Sequence, residues 1–347
     1  MKIGNFDVGG SKTFIIAELS ANHNHDLNIA IETIKAAGKA GADAIKLQTY
    51  RADTVTIDSR GDDFRIKQDT LWDGKYFFDL YKEAYTPWEW HETLFKVANE
   101  AGLICFSSPF DPTSVEFLET LNTPAYKIAS FEITDIPLIE LVVSKGKPVI
   151  ISTGIATAED IQLAVDACRA KGNNQIALLK CTSSYPAPIE EANMVMIQDL
   201  SDRFDVIAGV SDHTLGITVP VVAVCFGAKI IEKHFILDKS IGGPDASFSL
   251  DLTEFTAMVI AVREAENAIG IVDYTLTDKQ KKGREFSRSL YVVKDIRAGE
   301  IFTPDNLRSI RPGYGLHPKY LKEILGKKAV KDLEFGSRME MSFVKAD

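Results

Sequence analysis

The chain's 347 residues include 39 Lys and Arg against 49 Asp and Glu, a net charge of −10, which argues against a basic nucleic-acid-binding surface as its main business. An apolar share of 45% beside 25% charged residues belongs to a folded globular protein rather than a disordered or fibrous one, and the length suggests about two domains. With no apolar run of the ~18 residues a membrane helix needs, no signal-peptide core in MKIGNFDVGGSKTF and no paired spacing among Cys105, Cys168, Cys181 and Cys225, a soluble cytoplasmic protein without a disulfide framework or zinc knuckle is expected.

Short β-branched apolar runs recur along the chain with amphipathic stretches between them. Strands are expected at 13–19, 44–50, 103–108, 125–130, 148–153, 176–182, 205–212 and 229–235. Several, such as PVIIST and DVIAGVSD, are nearly continuous apolar runs, as expected of strands covered on both faces. Helices are expected at 28–39, ending at Gly41, and at 251–269, where Asp251 and Glu254 form a capping-box start. Most strand starts lie 22 to 31 residues apart, one β-plus-α unit; the exception is the interval before Leu103, where 51–85 reads as an inserted loop region. Eight such units match a (β/α)8 TIM barrel. An open doubly wound sheet is the alternative, but the first turn, Glu18 to His25, lacks the Gly-rich pattern of that fold. The barrel is expected over 1–272, a polar linker over 273–289, and a small second domain over 290–347.

In a barrel the strand ends and the loops after them carry the chemistry. Here they carry Glu18; Lys46 and Gln48; Ser107 and Ser108; Lys127, Ser130 and Glu132; Ser152 and Thr153; Thr182 and Ser183; Ser211 and His213; Glu232 and His234. One polar strand end is ordinary surface, but a polar end on every strand points to a site. His213 and His234 end neighbouring strands, and closure brings strand eight beside Glu18. Two imidazoles and a carboxylate suit a divalent transition metal. Lys46 and Lys127, among the hydroxyls of Ser108, Ser130, Ser152, Ser183 and Ser211, make a cationic, donor-rich pocket for a phosphate or carboxylate. The bland reading sets both lysines outside the barrel against helix carboxylates. Lys180 near the end of strand six leaves open a Schiff base with a keto acid.

The motifs IIAELSANHNHD, AIKLQTY, YKIASFE, IISTG, KCTSSYPAP, GVSDHT, IEKHF, GGPDASFSLD and RPGYGLHP resemble, in order, those of the sialic acid synthase family, and more closely its pseudaminic acid synthase branch. The resemblance spans about residues 12–345 and implies a phosphoenolpyruvate-binding barrel followed by an antifreeze-like (SAF) domain, in a domain-swapped homodimer. It implies that Glu18 positions or deprotonates the attacking water. It makes His213 and His234 the ligands of a divalent metal, usually Mn2+, with Mg2+ or Co2+ as alternatives. Lys46, Ser108, Lys127, Ser130, Ser152, Ser183 and Ser211 are implied phosphoenolpyruvate contacts. Gln48, Glu132, Tyr185 and Asp245 are implied contacts to an amino-sugar aldose, and Arg311 is implied to reach into the partner's barrel.

Two departures bear on the sugar. Phe131 stands where sialic acid synthases typically have Gly, and Ser183 where they typically have Asn. GPDAS with Phe248 likewise replaces their GPDH. The aromatic faces suit a methyl group in place of a hydroxyl, in keeping with a 6-deoxy, doubly N-acetylated acceptor, although core packing would equally explain Phe131. N-acetylmannosamine and a diacetamido trideoxy mannose (the legionaminic acid precursor) remain the rival acceptors. Other readings are a Schiff-base aldolase using Lys127 or Lys180 and a non-enzymatic carbohydrate-binding module.

Overall fold

The computed structural model describes residues 1–67 and 72–346; part of the expected 51–85 insertion therefore lies outside the described residues. The chain divides into two compact units, Met1–Gly270 and Ile271–Asp347. In the first, eight parallel strands close into a barrel in sequence order: β1 (Phe14–Glu18), β2 (Ala44–Thr49), β3 (Ile104–Pro109), β4 (Tyr126–Ile128), β5 (Val149–Ser152), β6 (Ile176–Cys181), β7 (Ile207–Asp212) and β8 (Ile230–His234). β8 pairs with β1 in a register that sets His234 opposite Glu18. All eight coincide with expected strands, and the 51–85 region holds short helices at Ala52–Val55 and Phe77–Ala84.

Alternation along each strand sorts the residues into two populations. Ile15, Ile45, Tyr126, Ile151, Leu178, Val210 and Ile231 pack outward against the helices. Phe14, Ile16, Ala44, Phe106, Ala125, Ile150, Ala177, Leu179 and Ile230 fill the interior. A short antiparallel pair, Lys2–Ile3 with Phe6–Asp7, joins this inner cluster through Ile3 and Phe6, the Phe6 and Phe14 rings lying 4.8 Å apart. The amino-terminal end of the barrel is thus filled with apolar side chains. The polar residues two positions further along the same inward faces mark the other end.

The expected helices form as Leu27–Lys39 and Leu252–Ile269. The second starts at the capping box, with Asp251 Oδ1 accepting from the Glu254 amide at 2.9 Å and Glu254 Oε2 accepting from the Asp251 amide at 3.0 Å. Arg263 of this helix donates to the Thr13 carbonyl and to Asp43, each at 2.8 Å, tying the last helix to the start of the barrel. In the second unit the helix Asp278–Gly283 precedes β9 (Ser289–Val292), antiparallel to β10 (Leu307–Ile310). Its separate core gathers Leu290, Val292, Ile296, Phe302, Leu307, Ile324 and Leu333. None of the described helices is long and apolar enough to cross a membrane.

Gly209, on β7, has no room for a side chain: a Cβ there would sit 2.3 Å from the Ile230 carbonyl oxygen of β8 and 2.9 Å from Leu179 Cδ2. Because backbone lies on one side, the clash cannot be relieved by a rotamer change. Gly209→Ala should therefore lower unfolding free energy by about 1–3 kcal/mol, read as a fall in the urea midpoint with an unchanged slope.

Candidate active site

The inward positions that follow the apolar interior are Glu18 on β1, Lys46 and Gln48 on β2, Ser108 on β3, Lys127 on β4, Ser152 on β5, Cys181 on β6, Ser211 on β7, and Glu232 and His234 on β8. Every one of these except the half-buried Gln48 is buried. Both lysines face inward, which removes the reading that set them against helix carboxylates. Lys180 lies on the outward parity and donates to the Cys181 carbonyl at 2.9 Å, so its amine is turned away from the interior. Ser107 is also outward, bonded to Thr49 at 2.7 Å.

At the centre two ammonium and two carboxylate groups share one enclosed volume. Lys46 Nζ is 2.7 Å from Glu18 and 3.9 Å from Glu232, and Lys127 Nζ is 3.4 Å from Glu232. Ser211 donates to Glu232 at 2.9 Å, Lys46 donates to Ser108 at 3.2 Å, and Gln48 donates to Glu18 at 2.9 Å. Taking four charges out of water costs several kcal/mol per ion, and only close pairing offsets it. The two carboxylates respond differently. Burial raises the Glu18 carboxyl to about 7, aided by the negative Glu232 and opposed by Lys46. Burial also works against a charged Glu232, but the two lysines outweigh it and hold that carboxyl below its ordinary range. Glu232 therefore stays ionised between the lysines, while Glu18 is poised to exchange a proton near neutrality.

The implied phosphate contacts gather around the same centre. Gly154, after β5, allows Ser130 and Ser183 to approach: a Cβ there would lie 2.0 Å from Ser183 Oγ and 2.8 Å from Ser130 Oγ. The Gly154 amide donates to Ser130 at 3.2 Å. Ser152 Oγ is buried with no hydrogen-bond partner, a free donor aimed at the enclosed space.

On the β7–β8 side the His213 and His234 rings lie with centroids 5.2 Å apart. His213 Nδ1 is 3.2 Å from the Thr182 carbonyl and 3.7 Å from Cys181 Sγ, two contacts that orient the ring with Nε2 on its far side. His234 Nδ1 is buried without a hydrogen-bond partner, and burial, with the positive groups around it, holds that ring neutral. Two oriented imidazoles, one with an orphaned nitrogen, fit the donor set of a divalent cation. Among the described residues no cluster of three or more His, Cys, Asp or Glu is arranged to hold a metal. Glu18, the expected third neighbour, is committed instead to Lys46 and Gln48.

An aromatic wall continues from the imidazoles. Tyr185 lies 4.5 Å from His213 and 5.3 Å from Phe248, and Phe248 lies 4.9 Å from His234. Asp245 accepts from Ser20 Oγ and sits 3.9 Å from His234 Nδ1. Phe131, by contrast, is 57% exposed, so it is not core packing. Arg311 is an exposed residue of the second unit, just after β10. Glu232, Cys181 and Ser20 join the site without a role assigned to them from the sequence. The alternation Ile230, Glu232, His234 on β8 was the available signal for the first.

Glu132 supplies a measurable consequence of this burial. Its Oε2 has no hydrogen-bond partner, and desolvation lifts its carboxyl to about 7 against the pull of Lys127. The folded state therefore binds this proton more tightly than the unfolded state, whose carboxyl titrates near 4.5. The stability the neutral form retains is lost as pH rises from about 4.5 to 7. Glu132→Gln should flatten the fall in melting temperature across that window, measured against the parent in matched buffers.

Two domain families match the chain: the NeuB family over residues 33–274 and the SAF domain over residues 287–337. A pseudaminic acid synthase of Campylobacter jejuni is 51% identical over 342 residues, covering 99% of each chain. The pseudaminic acid synthase of Helicobacter pylori is 49% identical, covering 92% of this chain and 94% of its own. Among solved structures, an N-acetylneuraminic acid synthetase from Leptospira borgpetersenii in complex with citrate aligns with a TM-score of 0.73 at 31% identity, over 82% of this chain and 95% of that one. A closed parallel barrel with its charged strand ends, followed by a SAF domain and matched over nearly its whole length by these relatives, places the chain in the NeuB family.

Proposed function

We propose that the chain is a pseudaminic acid synthase, condensing phosphoenolpyruvate with 2,4-diacetamido-2,4,6-trideoxy-β-L-altropyranose and water to give pseudaminic acid and phosphate. The observation that carries this reading is the identity of about one half, over almost the full length, to pseudaminic acid synthases. It is supported by the enclosed lysine pair. Phosphoenolpyruvate is a trianion, and Lys46 and Lys127 with the hydroxyls of Ser108, Ser130, Ser152, Ser183 and Ser211 offer it charge-assisted donors in a site shielded from water.

The mechanism follows from what each side chain can do. C3 of phosphoenolpyruvate attacks the aldehyde carbon of the open-chain sugar, forming the new C–C bond while the aldehyde oxygen takes up a proton. The positive centre that develops at C2 is quenched by water, whose proton Glu18 accepts. The resulting tetrahedral carbon expels phosphate by C–O cleavage as its hydroxyl proton passes to the departing phosphate, leaving the 2-keto acid. Lys46 and Lys127 stabilise the leaving phosphate, and Gln48 holds the Glu18 carboxylate toward the reacting carbon. A divalent cation held by His213 and His234, manganese with magnesium or cobalt as alternatives, would supply Lewis acidity toward the sugar aldehyde.

The sugar lies against Gln48, Glu132, Tyr185 and Asp245 in this reading, and the faces of Phe131 and Phe248 accept its methyl group. We assign the working enzyme to a cytoplasmic homodimer in which Arg311 reaches the partner's barrel.

Phosphate release from phosphoenolpyruvate with Mn2+ tests the reading against three acceptors: the diacetamido trideoxy altrose, N-acetylmannosamine and the diacetamido trideoxy mannose. Release with the altrose alone is expected. Release with a mannose-type sugar instead would move the acceptor, and release with none would remove the phosphoenolpyruvate assignment. In the same assay Glu18→Gln should lose about 10²–10⁴-fold in turnover while still binding phosphoenolpyruvate; normal turnover would take Glu18 out of the mechanism.

A further inference from the structure

The barrel wall contains an ion pair that the reaction does not use. Lys233 is fully buried on the outward face of β8, between residues whose neighbours on that face, Ile231 and Val210, are apolar. Its Nζ donates to Asp212 Oδ2 and to the Thr214 carbonyl, each at 2.5 Å. Asp212 in turn accepts from the Thr214 amide at 2.9 Å through its other oxygen.

The register makes this pair more than a staple. Lys233 and Asp212 are direct partners across the β7–β8 ladder. The next residue on one strand is His234 and on the other His213. Lys233 thus holds the residues on both sides of His213, Asp212 and Thr214, from the backbone position adjacent to His234. The two imidazoles sit on opposite arms of one short clamp, with ring centroids 5.2 Å apart. A buried ion pair is seldom the most stable filling for such a place, since apolar side chains of similar volume usually do as well or better. Its directional bonds do something that apolar packing cannot: they fix one strand end against the other.

We propose that Lys233 is a positioning residue that sets the spacing of the His213 and His234 imidazoles, and through it the affinity of the pair for a divalent cation. This rests on the reading of those two residues as the cation site. Lys233 touches neither the cation nor the substrates in this role. It acts through Asp212 and Thr214, from outside the barrel, in the way that outer groups orient metal-binding side chains.

The test is Mn2+ titration by calorimetry, together with the visible absorption bands of the Co2+-loaded protein, which report ligand geometry without turnover. Wild type, Lys233→Met and the double variant His213→Ala/His234→Ala are compared, each first shown to melt cooperatively above the assay temperature. Lys233→Met should bind Mn2+ at least tenfold more weakly and shift the Co2+ bands. Unchanged affinity and bands in Lys233→Met, with binding lost in the double His variant, would overturn the clamp and leave the cation site standing. Wild-type protein that binds no Mn2+, or binds it equally without the imidazoles, would remove the cation reading and the clamp with it. If Lys233→Met does not fold, Asp212→Asn decides the matter by the same two readings, because it keeps the side chain's size and its bond to the Thr214 amide while removing the charge opposite Lys233.

Discussion

Four charges enclosed by the barrel, Lys46 and Lys127 against Glu18 and Glu232, are the constraint around which the site is organised. They cannot be solvated where they lie, so each depends on the others, and displacing one leaves its partner exposed to a cost of about 3–5 kcal/mol. That mutual dependence holds the lysines in place before any substrate arrives, although burial still lowers the Lys127 ammonium's pKa while the carboxylates raise that of Lys46. An anion entering this space meets donors that need little reorganisation, the condition under which electrostatic stabilisation is most effective.

The barrel makes such a cluster tolerable by separating it from the rest of the interior. Below it, Phe14, Phe106, Leu179 and Ile230 fill the centre with apolar volume, and behind it the outward residues of the same strands pack on the helices. The charged layer begins one alternation step later, where the strands end. Stability is thus supplied by one stretch of each strand and chemistry by the next, so the polar layer does not interrupt the core. The β7–β8 edge adds a second polar element, the Lys233–Asp212 pair, on the opposite side of the wall from the imidazoles.

Much of this was legible in the sequence. The spacing of the apolar runs gave the eight strands, and Asp251 with Glu254 gave the start of the last barrel helix, because both are set by local pattern. The polar strand ends were also readable as a group. Their facing was harder: Ser107 and Ser108 are adjacent and similar, yet one bonds Thr49 outside the wall and the other meets Lys46 within it. Only the register of a closed barrel separates them. The same holds for Lys180, whose position near a strand end carries no mark of its outward side. Pairings across long sequence separation left no local trace, as with Ser20 and Asp245 or Lys233 and Asp212. Phe131 was ambiguous between core and surface by composition alone, and its exposure resolves that.

The most direct measurement is the affinity of Lys127→Met for phosphoenolpyruvate by calorimetry, beside the wild type and in the absence of sugar. Loss of one buried charge contact to the trianion should weaken binding at least about 30-fold, the equivalent of ~2 kcal/mol, in a protein whose melting remains cooperative. Undiminished affinity would place the anion away from the enclosed lysines and contradict their role as its site.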